Sequence, residues 1–384
     1  MATKTIINAT LFSGGKLTEN ASIAMKDGVL CNSRDVSGGE IYDAKGNIVA
    51  AGYIDVHTHG GWGKDCMEAN AETIDTIAKY HLSTGITSFC PTTMTADIRD
   101  IISALDNIRA YKPRYSRIAG VHLEGPFLSA GAAGAHPLDK LLNPDSENTA
   151  FIKDNSDLIS RITVAPNLSG AVYLTQLCKQ LGIQVSLGHD NSIDDEIYAA
   201  ADAGASSVTH MYNCTSRPSR RSTPKKHLGL TEVGLTDDRL MCEVIADNKH
   251  VPDKLFDMIF KLKGAEGICL ISDSLSVAGM GAGDYYLGSG ESRQLIRIED
   301  GVAVLPTANT YAGSVTAISA MAKRLVSRGY GIEDCLKMST LNPAKLIGLS
   351  DRGDIREGML ADINVMDKNL NIIDTFVGGQ ILIP

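Results

Sequence analysis

The chain has 384 residues, of which 43% are hydrophobic and 21% are charged, and its formal net charge is −9. This composition is typical of a globular protein with a large core and excludes a disordered chain. The acidic balance argues against a general nucleic-acid partner, and no apolar run is long enough to span a membrane. The eight cysteines include no C-x-x-C pair, and the first residues lack a secretory signal, so we expect reduced thiols in a cytoplasmic protein.

Both ends of the chain contain short alternating segments separated by tight turns. In residues 1–50, Asp27-Gly28 is a hairpin signal between two apolar segments. In residues 349–384, Gly378-Gly379 separates segments of the same kind. The two ends are therefore predicted to be β structure of one type.

The middle of the chain alternates short apolar runs with amphipathic helical stretches. The runs cover residues 53–57, 86–90, 118–124, 162–166, 183–187, 206–210, 241–247 and 267–273. They show little polar alternation, as strands buried on both faces require. One of the predicted helices extends from Ser314, a residue favoured as an N-cap, to Gly329. Eight strand–helix units predict a closed parallel barrel, with a doubly wound open sheet as the alternative.

Histidines and carboxylates stand where several of these runs end. They are His57, His59, Glu124, His189, His210 and Asp273. The C-terminal ends of barrel strands face one mouth, so these side chains are expected to converge. His57 and His59 point the same way because residues i and i+2 share a face of a strand. Imidazole suits Zn²⁺, with Co²⁺, Mn²⁺ and Fe²⁺ as alternatives, although each residue alone also fits a helix cap or a hydrogen-bonded core position.

Seven segments carry a resemblance to a known family. They are GYIDVHTHGG, GVHLEGPFLS, SLGHD, VTHMYN, IADNKHV, ISDSL and TYAGS. They are similar to the metal-dependent amidohydrolase superfamily, and within it most of all to the N-acetylglucosamine-6-phosphate deacetylase family. The resemblance implies an α/β fold with a (β/α)8 TIM-like barrel at residues 51–348. It also implies a small β-sandwich domain built from residues 1–50 and 349–384.

The resemblance further implies an activity and a metal centre. The reaction would be hydrolysis of the acetamide of N-acetylglucosamine 6-phosphate, and the family expectation is a homodimer. The residues expected to hold one or two divalent ions are Glu124, His189, His210, His57, His59 and Asp273. Glu124 is expected to bridge two ions, because the fourth strand ends Val164-Ala165-Pro166 without the lysine that bridges them in many relatives. Asp273 would also be the catalytic residue, which takes a proton from water and returns it to the departing amine.

The same resemblance implies contacts with the sugar phosphate. The residues expected to make them are Asn213, Cys214, His250, His136, Arg220, Arg221 and His227. The loop from Cys214 lacks the Arg-Glu-Pro-Gly-like motif of relatives, and its basic residues are predicted to clamp the phosphate or to form a solvated loop. Asn167 also stands where relatives carry a carboxylate.

Three alternatives to this function are considered. The substrate could be N-acetylgalactosamine 6-phosphate or another N-acetyl amino sugar, because sequence does not report the preferred hydroxyl orientation. Another amidohydrolase reaction is disfavoured by the absent lysine and by Glu124. A noncatalytic metal-binding protein is disfavoured because a structural zinc site is closed by four protein ligands and needs no adjacent carboxylate such as Asp273.

Overall fold

The computed structural model describes residues 3–35, 38–68, 70–220, 224–287, 293–306 and 310–382. The first strands in chain order are β1 (Thr3–Ser13), β2 (Lys16–Lys26), β3 (Val29–Cys31), β4 (Glu40–Asp43), β5 (Ile48–Ala51), β6 (Tyr53–Thr58), β7 (Gly60–Gly61), β8 (Lys64–Asp65), β9 (Ile86–Thr93), β10 (Arg117–Ile118), β11 (Val121–Glu124) and β12 (Ile159–Val164). The remaining strands are β13 (Gln184–Leu187), β14 (Ser207–Val208), β15 (Met241–Val244), β16 (Ile268–Leu270), β17 (Gly283–Leu287), β18 (Gln294–Glu299), β19 (Val302–Leu305), β20 (Thr310–Gly313), β21 (Ile363–Met366), β22 (Ile372–Val377) and β23 (Gln380–Ile381).

The helices lie mostly between the parallel strands. They are α1 (Ala71–Ser83), α2 (Ile98–Ala110), α3 (Ala150–Asp154), α4 (Ala171–Gln180), α5 (Asp194–Ala203), α6 (Leu230–Thr236), α7 (Asp253–Lys263), α8 (Ile318–Ser327), α9 (Ile332–Leu336) and α10 (Asn342–Leu346). The α1 helix begins after Asn70, whose side chain accepts the Glu72 N–H at 2.9 Å. It stops before Gly85, which takes the left-handed φ of 79° that glycine tolerates best. No helix in the described ranges has the length and apolar character needed to cross a bilayer.

The central sheet is parallel and closes into a barrel. Its strands pair in the order β6, β9, β11, β12, β13, β14, β15 and β16. A parallel bridge between Thr58 and Ser274 joins the end of β6 to the segment after β16. The Asp273 N–H also donates to the His57 carbonyl at 2.9 Å across this junction, which we call the seam. All eight predicted runs form these strands, so the predicted barrel is confirmed and the open sheet is wrong.

A polar layer lies inside the barrel beneath the strand ends. Arg161 is fully buried and donates to Glu243 and, at 2.9 Å, to the Val56 carbonyl. Ser186 and Ser207 donate to the same Glu243 oxygen at 2.9 and 2.7 Å. The buried ion pair is tolerated because these hydrogen bonds partly replace the lost hydration of its charges.

Strands from both ends of the chain form one sheet with its own core. The strand order is β23, β22, β21, β5, β1, β2 and β3, and β4 pairs with β1. Asp27 and Gly28 both have positive φ, as the predicted two-residue hairpin requires. The predicted β-sandwich component of the fold is confirmed, while the limits 1–50 and 349–384 for a separate domain stay a prediction.

A four-stranded antiparallel sheet, β17 to β20, interrupts the chain after the eighth barrel strand. The apolar runs considered in the sequence did not predict it. Beyond it, the predicted helix start at Ser314 is wrong, because α8 begins at Ile318. Ser314 instead forms a bridge with Ser274, and its hydroxyl accepts the Thr316 N–H at 2.9 Å. The seam therefore keeps this serine extended.

Candidate metal centre and cavity

The structure brings the six predicted ligand residues into one cluster at the C-terminal end of the barrel. His57 lies on β6, His59 follows it, and Glu124 ends β11. His189 and His210 each lie two residues beyond a strand. All six side chains are buried, and the most exposed residue is Asp273 at 8%. Parallel strands account for this meeting, because their carboxyl ends open at one mouth.

One half of the cluster is backed by main-chain carbonyls. Glu124 Oε1 lies 3.1 Å from His189 Nε2 and 3.0 Å from His210 Nε2. The opposite ring nitrogens face carbonyl oxygens, with His189 Nδ1 2.9 Å from that of Ala132 and His210 Nδ1 3.1 Å from that of Asn213. A carbonyl only accepts, so Nδ1 carries the proton and Nε2 is left to bind a cation. We call this group the carbonyl-backed half.

The other half gathers around the second oxygen of the same carboxylate. Glu124 Oε2 lies 3.4 Å from His57 Nε2 and 3.0 Å from His59 Nε2. Asp273 Oδ1 lies 3.3 and 3.4 Å from the same two nitrogens. The Nδ1 atoms of His57 and His59 have no hydrogen-bond partner within the described ranges. We call this group the seam half, because His57 and Asp273 meet across the seam.

The electrostatics of the cluster fit a divalent cation. Burial works to raise the pKa of Glu124, but His57 and the other imidazoles hold it well below its ordinary value. Burial likewise opposes ionisation of Asp273, yet His57, His59 and His210 hold its pKa at about 2. Against the opposing effect of burial, Asp273 and Glu124 raise the pKa of His59 to about 10. Two buried, ionised carboxylates are stabilised by a nearby positive charge. Imidazole nitrogens and carboxylate oxygens are ligands that Zn²⁺ accepts.

Three of the cluster residues have left-handed backbone conformations. The φ angles of His189, His210 and Asp273 are 47°, 29° and 47°. Non-glycine residues seldom adopt this region, and such outliers concentrate at functional sites. Each of the three lies two or three residues beyond the end of a barrel strand, at the mouth of the barrel.

A cavity of about 270 Å³ opens above the cluster, and His136 and His250 line it. His136 Nδ1 accepts the Thr95 N–H at 3.2 Å, which leaves the ring proton on Nε2, 3.5 Å from Glu124 Oε2. Burial lowers the pKa of His136 to about 4, so the ring is neutral and offers one N–H to the cavity.

His250 is fixed from behind by an aspartate. Its Nδ1 lies 2.7 Å from Asp247 Oδ2, while its buried Nε2 has no partner in the parts of the chain described. The ring centroid lies 5.1 Å from that of Tyr311, which also lines the cavity. An oriented but unsatisfied nitrogen at a cavity wall is suited to a polar ligand.

The sequence model of the amidohydrolase family matches residues 48–382. The chain belongs to the amidohydrolase family.

Characterised relatives of this amidohydrolase cover nearly its whole length. The N-acetylglucosamine-6-phosphate deacetylase of Lysinibacillus sphaericus is 30% identical over 98% of this chain and 97% of its own. The N-acetylgalactosamine-6-phosphate deacetylase of Escherichia coli O157:H7 is 30% identical, with 87% of each chain covered. A crystal structure of N-acetylglucosamine-6-phosphate deacetylase from Pasteurella multocida has a TM-score of 0.89 and 25% identity, with 99% of each chain covered. The predicted family, fold and hydrolytic enzyme class are confirmed.

Besides His136 and His250, two more residues predicted to contact the sugar phosphate lie beside the six predicted ligands of this amidohydrolase. Asn213 and Cys214 both line the cavity. The Asn213 side-chain amide donates to the His210 carbonyl at 3.2 Å. Burial works to raise the pKa of Cys214, but a hydrogen bond with His189 lowers it. Their part in substrate binding stays a prediction.

Two of the basic residues predicted to bind phosphate, Arg220 and His227, do not line the cavity. Arg220 donates to the Pro224 carbonyl, and His227 Nδ1 lies 2.7 Å from Asp194 Oδ1 at the start of α5. Neither residue lines the cavity, and no lysine or arginine is among the described residues that do. Arg221 lies outside the described residues. The part of Arg220, Arg221 and His227 in phosphate binding stays a prediction.

Several other residues at the site were not predicted from the sequence. Tyr212, Leu287 and Tyr311 line the cavity, and Asp247 orients His250. Tyr212, Asp247 and Tyr311 lay within the recognised motifs VTHMYN, IADNKHV and TYAGS but were given no role, and Leu287 lay in none of the motifs. Asn167, which replaces a family carboxylate, is absent from the lining and accepts the Asn191 N–H at 3.0 Å. It ties the loop after β12 to the loop after β13.

Proposed function

We propose that this amidohydrolase hydrolyses the acetamide of N-acetylglucosamine 6-phosphate to glucosamine 6-phosphate and acetate. The observation that carries the proposal is the position of Asp273. Its carboxylate sits beside two imidazoles and Glu124 at the floor of a cavity, within a family whose relatives include amino sugar phosphate deacetylases. A closed structural metal site would not place a further carboxylate there.

The proposed cofactor is Zn²⁺, with Fe²⁺, Mn²⁺ or Co²⁺ as alternatives, at one or two ions per chain. The carbonyl-backed half would hold one ion and the seam half a second, with Glu124 between them. When bound, such an ion acidifies water and polarises a carbonyl group. The carbonyl contacts of His189 and His210 support this assignment because they hold a ring proton on Nδ1 and direct Nε2 toward Glu124, where a bound cation would take the place of any proton on Nε2.

Asp273 is proposed to move the proton of the reaction. It accepts a proton from the water that attacks the acetamide carbon, and the new carbon–oxygen bond forms. It then gives that proton to the amide nitrogen as the carbon–nitrogen bond breaks, because an amine leaves poorly unless protonated. The carboxylate of Asp273 is ionised, so it has an oxygen that can accept this proton.

His136 is proposed to stabilise the oxygen of the reacting carbonyl. The Thr95 N–H fixes the ring so that its only proton is on Nε2, which faces the cavity. A donor held in place before the reaction stabilises developing negative charge without reorganisation. The low pKa of His136 keeps this donor neutral at physiological pH.

Phosphate binding is proposed to need His250 and a second copy of the chain. His250 Nε2, which has no partner among the described residues, supplies one polar contact, but the described cavity lining holds no lysine or arginine. A homodimer in which the basic loop of one copy approaches the cavity of the other would supply the missing charge. We further propose a cytoplasmic enzyme, and the eight cysteines, none of which is in a disulfide, support this location.

The 4-epimer, N-acetylgalactosamine 6-phosphate, is the second candidate substrate. Its support is the relative from Escherichia coli, which is as similar to this chain, at 30% identity, as the glucosamine relative from Lysinibacillus. Both substrates would present the same acetamide to the candidate metal centre. Only contacts of the sugar ring with the rest of the cavity can therefore distinguish them.

The test is acetate release from both N-acetylhexosamine 6-phosphates and from their unphosphorylated forms, after chelation and after addition of each of the four metals. We expect release from N-acetylglucosamine 6-phosphate that stops with chelator and returns with metal. A higher kcat/KM for the 4-epimer would replace the substrate with the second candidate. No release from any sugar with any metal would overturn the proposed function.

A further inference from the structure

One buried carboxylate near the metal cluster is used by neither half. Asp55 is 0% exposed and lies on β6, two residues before His57. Its Oδ1 accepts the N–H of His57 and the N–H of Ser272, each at 3.2 Å. Its Oδ2 accepts the Ser272 hydroxyl. Both of its oxygens are therefore occupied by donors from the two sides of the seam.

The bonds of Asp55 occur where the regular sheet has ended. The last barrel strand stops at Leu270, and beyond it Ser274 forms only isolated parallel bridges, to Thr58 and to Ser314. The Ser272 hydroxyl also accepts the Ser274 N–H at 3.1 Å. Asp55 therefore holds the N–H of the residue before Asp273, and the Ser272 side chain holds the N–H of the residue after it. A carboxylate loses its hydration when buried, and this cost is met only where several hydrogen bonds hold it.

The location of these bonds is what makes them relevant to the site. Asp55 binds the N–H of His57 itself and the N–H of Ser272, the residue next to Asp273. His57 and Asp273 both belong to the seam half. Neither His57 nor His59 has an Nδ1 partner within the described ranges to orient its ring. The relative position of His57 and Asp273 is thus controlled through the backbone.

We propose that Asp55 is a positioning residue that fixes Asp273 against His57 across the seam and so sets the metal affinity of the seam half. Where the proposed deacetylase function holds, the same contact sets the rate of proton transfer by Asp273. Loss of residues that orient metal ligands typically lowers affinity or activity about 10- to 100-fold.

Two substitutions separate geometry from charge. Asp55→Ala removes every bond across the seam that this side chain makes. Asp55→Asn keeps an oxygen for the two N–H groups, and its amide can donate to the Ser272 oxygen. We expect Asp55→Ala to weaken metal binding about 10- to 100-fold and to lower kcat with KM changed less than about twofold. We expect Asp55→Asn to stay within about threefold of the wild type in both quantities.

A matched control is available in the small sheet region. Asp354 is also buried and accepts two backbone N–H groups, those of Gly14 at 3.0 Å and Ile355 at 2.8 Å. Asp354→Ala should lower the unfolding temperature but leave metal affinity and kcat per folded molecule unchanged. If Asp55→Ala does not fold, Ser272→Ala replaces it, with an expected weakening of metal binding of about 3- to 10-fold.

The experiment measures Zn²⁺ affinity by chelator competition on folded full-length protein, and then kcat and KM per metal-loaded molecule. Wild-type metal affinity and kcat in the variant that removes the contact, or equal damage in Asp55→Asn and Asp55→Ala, would overturn the positioning role. If the wild type itself releases no acetate, the proposed function fails, but the metal affinities still decide the role of Asp55.

Discussion

The carbonyl-backed half and the seam half share Glu124 but are held in different ways. In the first, main-chain carbonyls fix the rings of His189 and His210 through Nδ1. In the second, the rings of His57 and His59 lack such partners in the described residues, and order comes from the backbone at the seam. One half is organised at the ligand side chains, and the other at the junction of two strands.

This difference has a chemical meaning. A ring whose proton is already on Nδ1 binds a cation without rearrangement, so the carbonyl-backed half is suited to keep an ion permanently. The seam half contains Asp273, which must accept and return a proton in the proposed reaction. Glu124 Oε1 therefore faces the half that is suited to keep an ion, and Glu124 Oε2 faces the half that is proposed to move the proton.

The largest expected effect tests the catalytic side of this division. Asp273→Asn removes the proton acceptor without removing its volume, and we expect kcat to fall about 100- to 10,000-fold. Metal bound by His189 and His210 should remain, as equilibrium dialysis would show. Activity above a tenth of the wild-type level would contradict the role given to Asp273.

The next largest effect concerns the donor above the cluster. We expect His136→Ala to lower kcat about 100- to 1,000-fold, because a fixed donor to the carbonyl oxygen is lost. Burial depresses the pKa of His136 to about 4, so the wild-type ring gains a proton only as the pH falls toward 4. If the wild-type rate instead falls near pH 6.5, and His136→Ala shows the same fall, the titrating group is not His136.

A direct comparison of the two halves comes from paired ligand removals. His210→Ala should weaken the tightest Zn²⁺ binding at least about tenfold more than His59→Ala, because only His210 is held in its binding tautomer. Chelator competition on both variants measures the difference. Equal losses would show that the carbonyl contacts do not distinguish the halves.

The smallest expected effect lies at the cavity wall, outside both halves. Asp247→Asn weakens the contact that orients His250, and we expect KM for the phosphorylated sugar to rise about 5- to 10-fold, or about 1–1.5 kcal/mol. The unphosphorylated sugar serves as the internal control, since its kinetics should not change. An equal rise in KM for both sugars would remove His250 from phosphate recognition.

The parts of the site that sequence predicted are those that depend on regular strands. Glu124, His189 and His210 follow apolar runs, and parallel pairing alone brings such ends together. The sheet from β17 to β20 and the position of Tyr311 at the cavity were missed, because the alternation of residues within a strand does not show which cavity an inserted sheet borders. Asp55 was missed for a similar reason, since its partner Ser272 lies across the seam, 217 residues away in sequence. The pair of His227 with Asp194 was also missed, because no local sequence pattern predicts a contact between residues this far apart.

The position of β5 constrains the order in which parts of the protein can fold during translation. In the terminal sheet it lies between β1 and β21, and Ala51 pairs with Ile363. Until that late segment emerges, one edge of an apolar strand has no neighbour, and such an edge is a template for self-association. The nascent polypeptide must therefore shield β5 while the whole barrel is translated, and premature termination before β21 would release a chain prone to aggregate.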